Sequence, residues 1–473
     1  MAITSAAQQG LEIGRRALQA QQVGLNTTGH NVANANTPGF SRRQVSLETA
    51  VTRVDGAVGS GADAAAVERQ RSRFADAQVR VQQQVLGHWQ SLERALQSLE
   101  AAFNEPAGAG ASEAGTVFSE ASGMGLSGSL SRFWNTWQDL ANAPEDGAAR
   151  AAVRQEGEFL ATTLNQYHTQ LVNTRSELDV QVQDTVSRIN ELVDQLAQVN
   201  AQLPRARFEQ GAADLEDQRD RLVESLSLLV DVAVNERENG QVAVLLGGHT
   251  LVEGDRAVHL RLRQSSEAGG TASRVAFSDD LSLAQITEGE LRGTMQVRDE
   301  VVPDLLSRLD QVAAGLVWEV NRVHRSGYGR DGTTGIDFFA AANTSAGNIR
   351  LSEEVAGDLG AIAASADGHQ GDNGTALAIS GLRERAVLDS GTMTIEGFYR
   401  QLLGEVGARS QEAQTMAENH RLFAQQIENR RQSIQGVSLN DEAAQLVLFQ
   451  RAYQAAARTV SIVDELMEVA INL

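Results

Sequence analysis

Two heptad patterns, one at each end of the chain, constrain the fold more than any other feature. Thr4, Ala7, Leu11, Gly14, Leu18, Gln21, Leu25, Thr28 and Val32 are separated alternately by three and four residues, the seam of a coiled-coil helix. Leu446, Phe449, Tyr453, Ala456, Val460, Val463, Met467 and Ala470 repeat that spacing at the other end. The first helix must stop at Asn34-Ala35-Asn36-Thr37-Pro38-Gly39-Phe40: Pro38 cannot continue it, and Gly39 supplies the positive φ of a type II turn. Ser438, Asn440 and Asp441 are helix-starting residues ahead of the second. Matched helices at both termini can close as an antiparallel pair, from which the middle of the chain would hang.

The N-terminal helix is short of charge. From Met1 to Phe40 only Glu12, Arg15 and Arg16 are charged, and Gln, Thr, Ser and Asn fill the remaining polar face. Such a face suits a helix surrounded by copies of itself, where amides bond across the contact and no charge is desolvated. An ordinary capped helix opening a helical domain is the other reading of this stretch.

Composition removes several function classes. A net charge of -21 repels phosphate backbones and anionic lipid, which argues against nucleic-acid and membrane partners. The chain has no Cys, so disulfides, thiolate metal sites and cysteine nucleophiles are excluded. All 40 basic residues are Arg, which removes Walker-type nucleotide sites, Schiff-base lysines and the kinase lysine together. No run of about 18 apolar residues occurs, and Met1-Ala2-Ile3-Thr4 does not begin a signal peptide. Eight scattered histidines without HxxxH or HExxH spacing predict no zinc site, and no cofactor is expected.

At 473 residues the chain should form two to four domains. Arg43 to Glu68 reads as an extended hairpin or irregular linker, and a long helix from about Phe74 carries the seam Val85, Trp89, Leu92, Leu96, Leu99 and Phe103. Gly123-Met124-Gly125-Leu126-Ser127-Gly128 matches GxGxxG only formally, because no strand precedes it, and reads as a loop. Phe133, Trp134 and Trp137 lie on a helix cut at Pro144, with the aromatics as core. A helix starting at Pro144 follows, then another holding Val182 through Leu203 that breaks at Pro204 and pairs with Leu215 to Leu229. Short alternating runs at Val230, Gln241 and Ala257 predict a small β subdomain. Leu305, Leu309, Val312, Leu316, Val320 and Val323 form one helical face. Ala413, Met416, His420, Phe423, Ile427 and Ile434 form another, antiparallel to the Val85 helix. The expected fold is mainly α: long antiparallel coiled-coil-like helices from both termini plus a helical bundle, with a small inserted β subdomain. Residues 1–68 and 436–473 would form the terminal axial domain with its linker, and 69–229, 287–325 and 376–435 the helical body. Residues 230–286 would form the β subdomain, and 326–375 a loop-rich, reduced outer domain.

Three stretches carry a family resemblance: Asn31 through Arg42, Gly436 through Ala444, and Phe449-Gln450-Arg451-Ala452-Tyr453-Gln454-Ala455. They resemble the bacterial flagellar rod, hook and hook-associated axial proteins. Phe133-Trp134 through Arg150, and Asn321 through Gly329 with Phe338-Phe339, narrow the resemblance to the hook-associated protein 1 family of the hook-filament junction. The resemblance implies a structural subunit of the flagellum that is not an enzyme. It would be exported by the flagellar type III system, cytoplasmic only before export and extracellular afterwards. Implied partners are further copies of itself, the hook subunit, the second junction protein with the filament, and an export chaperone. The residues expected at the assembly interface are Leu11, Leu18, Leu25, Asn34, Asn36, Pro38, Gly39, Leu446, Phe449, Tyr453, Val460, Val463 and Met467. Two alternatives stand beside this reading: another axial protein, or a secreted enzyme using Asp331, Asp337, Glu353 and Glu354 as an acid pair.

Overall fold

A computed structural model describes residues 2–50, 59–103, 125–208, 211–267 and 270–471. Helix α1 (Ala2–Ala33) ends at the Pro38-Gly39 turn, where Gly39 has φ 75°. Strands β1 (Arg43–Thr49) and β2 (Ala62–Arg69) then form a hairpin, one of the two readings of this stretch, with a bulge at Ser46/Leu47, while its residues 51–58 lie outside the described residues. Helix α2 (Arg73–Phe103) follows. Most of the glycine-rich stretch, including Gly123 and Met124, also lies outside the described residues, and Leu126 to Gly128 open helix α3 (Leu126–Asn142).

The two helices expected after Pro144 are one. Helix α4 runs from Gly147 to Phe208, 62 residues, straight through Pro204. A proline inside a helix frees the carbonyl four residues before it, here that of Asn200. Gln241 Nε2 donates to that carbonyl at 2.9 Å, so the break costs no orphaned acceptor. The Asn200 side chain meanwhile pairs with both backbone groups of Val242, joining the helix to the sheet. Helix α5 (Ala213–Leu229) returns along α4 as the expected hairpin.

The β subdomain has more strands than the three runs predicted. Strands β3 (Val232–Glu236), β4 (Val242–Leu246), β5 (His249–Glu253) and β6 (Arg256–Ala257) form an antiparallel sheet in sequence order. Strands β7 (Leu260–Glu267) and β8 (Gly270–Phe277) form a separate hairpin. Val244, Leu246, Leu251, Val252 and Phe277 pack with Val182, Ile189, Val193 and Leu196 of α4 in one core.

Helix α6 (Glu290–Gln296) passes through a π-turn at Val297–Val301 into α7 (Val302–His324). In the π-turn Arg298, 2% exposed, bonds Asp179 at 2.6 Å and the Ser273 carbonyl at 2.6 Å, tying α4 to β8. Residues 326–375 were expected to form a reduced outer domain. Instead, Phe338, Phe339, Ile349, Leu351, Val355 and Ile362 enter the same core as α3 and α7. Short helices α8 (Glu353–Gly357) and α9 (Gly374–Ser380) lie in and beside this stretch. Helix α10 (Ile395–Gln435) runs antiparallel to α2, as Gln82 to His420 and Asp76 to Gln435 show, and α11 (Leu439–Ile471) pairs with α1. Among the described residues no helix is long and apolar enough to cross a membrane.

The internal stretches singled out in the sequence meet in space. Phe133 and Trp137 of α3 touch Phe338 edge-on or tilted, at centroid distances of 5.8 and 5.2 Å, and His324 joins them. Buried Arg150 donates to the carbonyls of Pro144 at 2.9 Å and Ile362 at 2.6 Å. His324 is fully buried: Nδ1 lies 2.8 Å from the Ile336 carbonyl, and Nε2 accepts the Ala363 N–H at 2.9 Å. Burial pushes its pKa down to about 4, with the pull of Asp337 and the push of Arg150 as smaller effects.

Because the folded pKa lies below the ordinary value of 6.5, the unfolded chain takes the proton first. The contribution to stability is therefore complete above about pH 6.5 and is lost as pH falls toward 4, at up to about 1.4 kcal/mol per pH unit. Urea unfolding at pH 7 and pH 5 should show this acid slope, and His324→Asn should flatten it while lowering stability at pH 7. An unchanged slope in the variant would locate the acid sensitivity elsewhere.

Candidate assembly interface

The α1–α11 pair is antiparallel and built around glycine. Gly10 faces Val463, Gly14 faces Val460 and Gly24 faces Phe449, so position numbers rise along α1 as they fall along α11. A Cβ at Gly14 would lie 2.5 Å from Val460 Cγ2, and one at Gly24 2.6 Å from Phe449 Cε1. Gly14 of the seam, with Gly10 and Gly24 beside it, thus forms sockets for the large residues opposite.

This geometry sorts the residues expected at the interface. Phe449, Val460, Val463 and Met467 are half-buried, and the first three meet α1 directly, whereas Leu446 and Tyr453, 37% and 38% exposed, lie at the edge of the contact. On α1 the predicted line is only partly inward: Gly14 and Thr28 are buried, Leu18 and Leu25 are half-buried, and Leu11 and Val32 are exposed, while Ala20, Gly24 and Asn31, off that line, are buried. Asn34 bonds the His30 carbonyl at 3.0 Å and accepts from Thr37 at 3.2 Å, closing the helix end. Asn36, Pro38 and Gly39 are exposed, with the Pro38 carbonyl bonded by Arg221 of α5 at 3.2 Å. Gly10, Gly24 and the Asn31–Glu442 pair were missed, although glycines recurring on one helical face are a readable sign of close approach.

Below the pair lies a buried polar cluster. Glu442 is fully buried, its oxygens bonded by Asn31 Nδ2 at 2.9 Å and Arg42 Nε at 2.6 Å. Asn31 also exchanges bonds with the backbone of Arg43, at 2.8 and 3.0 Å. A buried carboxylate is tolerated only when paired and bonded in this way. The β1–β2 hairpin is in turn held on α5 by charge: Arg69 reaches Glu216 at 3.0 Å, Asp217 at 2.7 Å and Asp220 at 2.9 Å, and Arg43 pairs with Asp214. Arg219, beside them, has its pKa pushed down to about 10, mainly by burial. These groups line a polar cleft of about 1060 Å³.

Outward from α1, α11 exposes Leu448, Ile462, Leu466 and Val469, which 100° per residue brings to one line. The carboxylates considered for acid chemistry are placed otherwise. Asp337 is paired with Arg325, and Asp331 accepts from Thr333 within its own turn. Asp372, whose pKa is lowered to about 2 by bonds from Ala366 and Ser365, likewise closes a turn. Among the described residues one group of ligand-type side chains gathers within 4.8 Å: His249, Asp279 and Asp280. There the His249 ring stacks on Phe277, and Asp280 accepts from the backbone and hydroxyl of Ser282.

Residues 111–339 match the model of the flagellar hook-associated protein FlgK helical domain. Residues 11–40 match that of the flagella basal body rod protein, and 431–473 that of the flagellar basal body rod FlgEFG protein C-terminal. Flagellar hook-associated protein 1 of Bacillus subtilis is 30% identical over 98% of this chain and 97% of its own length. The protein of that name from Escherichia coli is 22% identical over 96% of this chain and 98% of its own length. The solved structure of the flagellar hook junction protein FlgK from Burkholderia pseudomallei shares the fold, with a TM-score of 0.64 at 16% identity. That likeness covers 76% of this chain and 100% of the solved one.

Proposed function

The chain belongs to the flagellar hook-associated protein 1 family, and from that membership we propose how it works as a structural, non-catalytic subunit at the junction of hook and filament. It acts outside the cell as part of the flagellum. The α1–α11 pair is its axial element: one face of α11 is spent on the glycine sockets of α1, and the second, apolar face is free for neighbours. That free face is the observation that carries the reading, since a lone soluble subunit gains nothing from a line of exposed Leu, Ile and Val. The neighbours are further copies of the chain, the hook subunit on one side, and the second junction protein with the filament on the other. Before export the same face is covered in the cytoplasm by a chaperone, which keeps the chain from polymerising there.

Deleting the gene should leave hooks without filaments and release flagellin into the medium. Electron microscopy of the deletion strain, with and without the gene restored, checks this. Normal filaments without the gene would refute the assignment.

A further inference from the structure

One pattern found in the sequence is not used as expected. The α10 seam Ala413, Met416, His420, Phe423, Ile427 and Ile434 was expected to run along α2, and only part of it does: Ala413 is buried, as is Ala417 beside it, and His420 bonds Gln82 of α2, whereas Phe423 is left 55% exposed. On α2, Phe74 and Val81 are likewise 68% and 60% exposed. Helix α5 covers the other side of this pair: Gly87 of α2 lies against the Leu228 backbone, and Arg431 of α10 pairs with Glu224. At 100° per residue, Phe74 and Val81 point away from Gly87, and Phe423, Ile427 and Ile434 point to the flank of α10 away from α5. The two stripes therefore border one uncovered apolar groove between parallel-lying helices, the shape that a third helix fills.

We propose that this groove receives the outward stripe of α11 from a second copy of the chain. The inference rests on the reading of the chain as a self-assembling subunit. Charge favours this occupant: exposed Arg430 borders the outer edge of the groove beside Phe423 and Ile434 and has no ion pair among the described residues, while Glu465 and Glu468 flank the α11 stripe and have none either. The chain's own α11 does not fold back on the groove, because it is one uninterrupted helix spent on its pairing with α1. Groove and stripe are different surfaces, so the contact is head-to-tail: every subunit keeps one free groove and one free stripe, the condition for a ring or an open helix rather than a closed dimer.

The absence of native Cys makes the test direct. Full-length Phe423→Cys and Leu466→Cys variants are co-expressed in the deletion strain, and isolated hook-filament structures are oxidised. A disulfide-linked dimer is expected only when both variants are present. Arg430→Glu should lower its yield several-fold, and adding Glu465→Arg should restore it. Dimers from Phe423→Cys alone, meaning groove against groove, would overturn the proposal, as would filaments growing on structures that yield no mixed dimer. If normal filaments grow in the deletion strain carrying neither variant, the junction reading fails instead, and the groove assignment with it.

Discussion

Asn321→Ala should unfold the helical body about 10 °C below the wild type. Asn321 is 4% exposed, and its amide holds three backbone groups: the N–H of Phe338 at 3.0 Å, the N–H of Phe339 at 2.9 Å and the carbonyl of Phe339 at 2.8 Å. Alanine leaves all three buried without partners, at about 1–3 kcal/mol each before relaxation. A loss of about 4 kcal/mol, at roughly 2–4 °C per kcal/mol for a body of this size, gives the stated shift. The damage should concentrate where Phe338 and Phe339 meet Phe133 and Trp137, and leave the α1–α11 pair unchanged. Calorimetry with hydrogen exchange reads both. A shift below about 2 °C would mean that the backbone at Phe338 does not depend on Asn321.

Val460→Asp should abolish incorporation at the hook tip while sparing the body. Val460 rests on Gly14, where a side chain has backbone and not water on its far side. A carboxylate placed there must be desolvated without a partner, because the nearest arginines of α1, Arg15 and Arg16, are already paired with Glu12. The expected cost is several kcal/mol, applied at the middle of the α1–α11 contact. The central body shares no contact with this position, so its thermal unfolding should match the wild type. Filaments growing normally on hooks that carry only this variant would show that the α1–α11 contact is not needed for assembly.

The long helices, their pairing and the aromatic core were legible because each depends on periodicity or on punctuation by Pro and Gly, both local in sequence. The errors have physical causes of the opposite kind. Pro204 was read as a break because its missing N–H is local, whereas the compensating donor, Gln241, is on a neighbouring hairpin. The loop-rich stretch 326–375 was set apart because it lacks periodicity. It belongs to the core because Asn321 and His324 satisfy its irregular backbone from α7, which lets it be buried without a ladder.

By itself the sequence determined the family, through the stretches at Asn31 to Arg42, Phe133 to Arg150, Asn321 to Phe339 and the C-terminal segment. It also determined that the two ends form helices suited to each other. Only the tertiary structure decided which face of each helix is spent internally and which remains free. A heptad marks where large apolar residues recur, but not which way they turn once a partner offers glycine or alanine for closer approach. On α1 the glycines draw Val460, Val463 and Phe449 inward and leave Leu11 outside. On α10 the alanines take the contact with α2 and turn Phe423 to solvent, because two backbones that meet through small residues gain more close contact than two that meet through large ones.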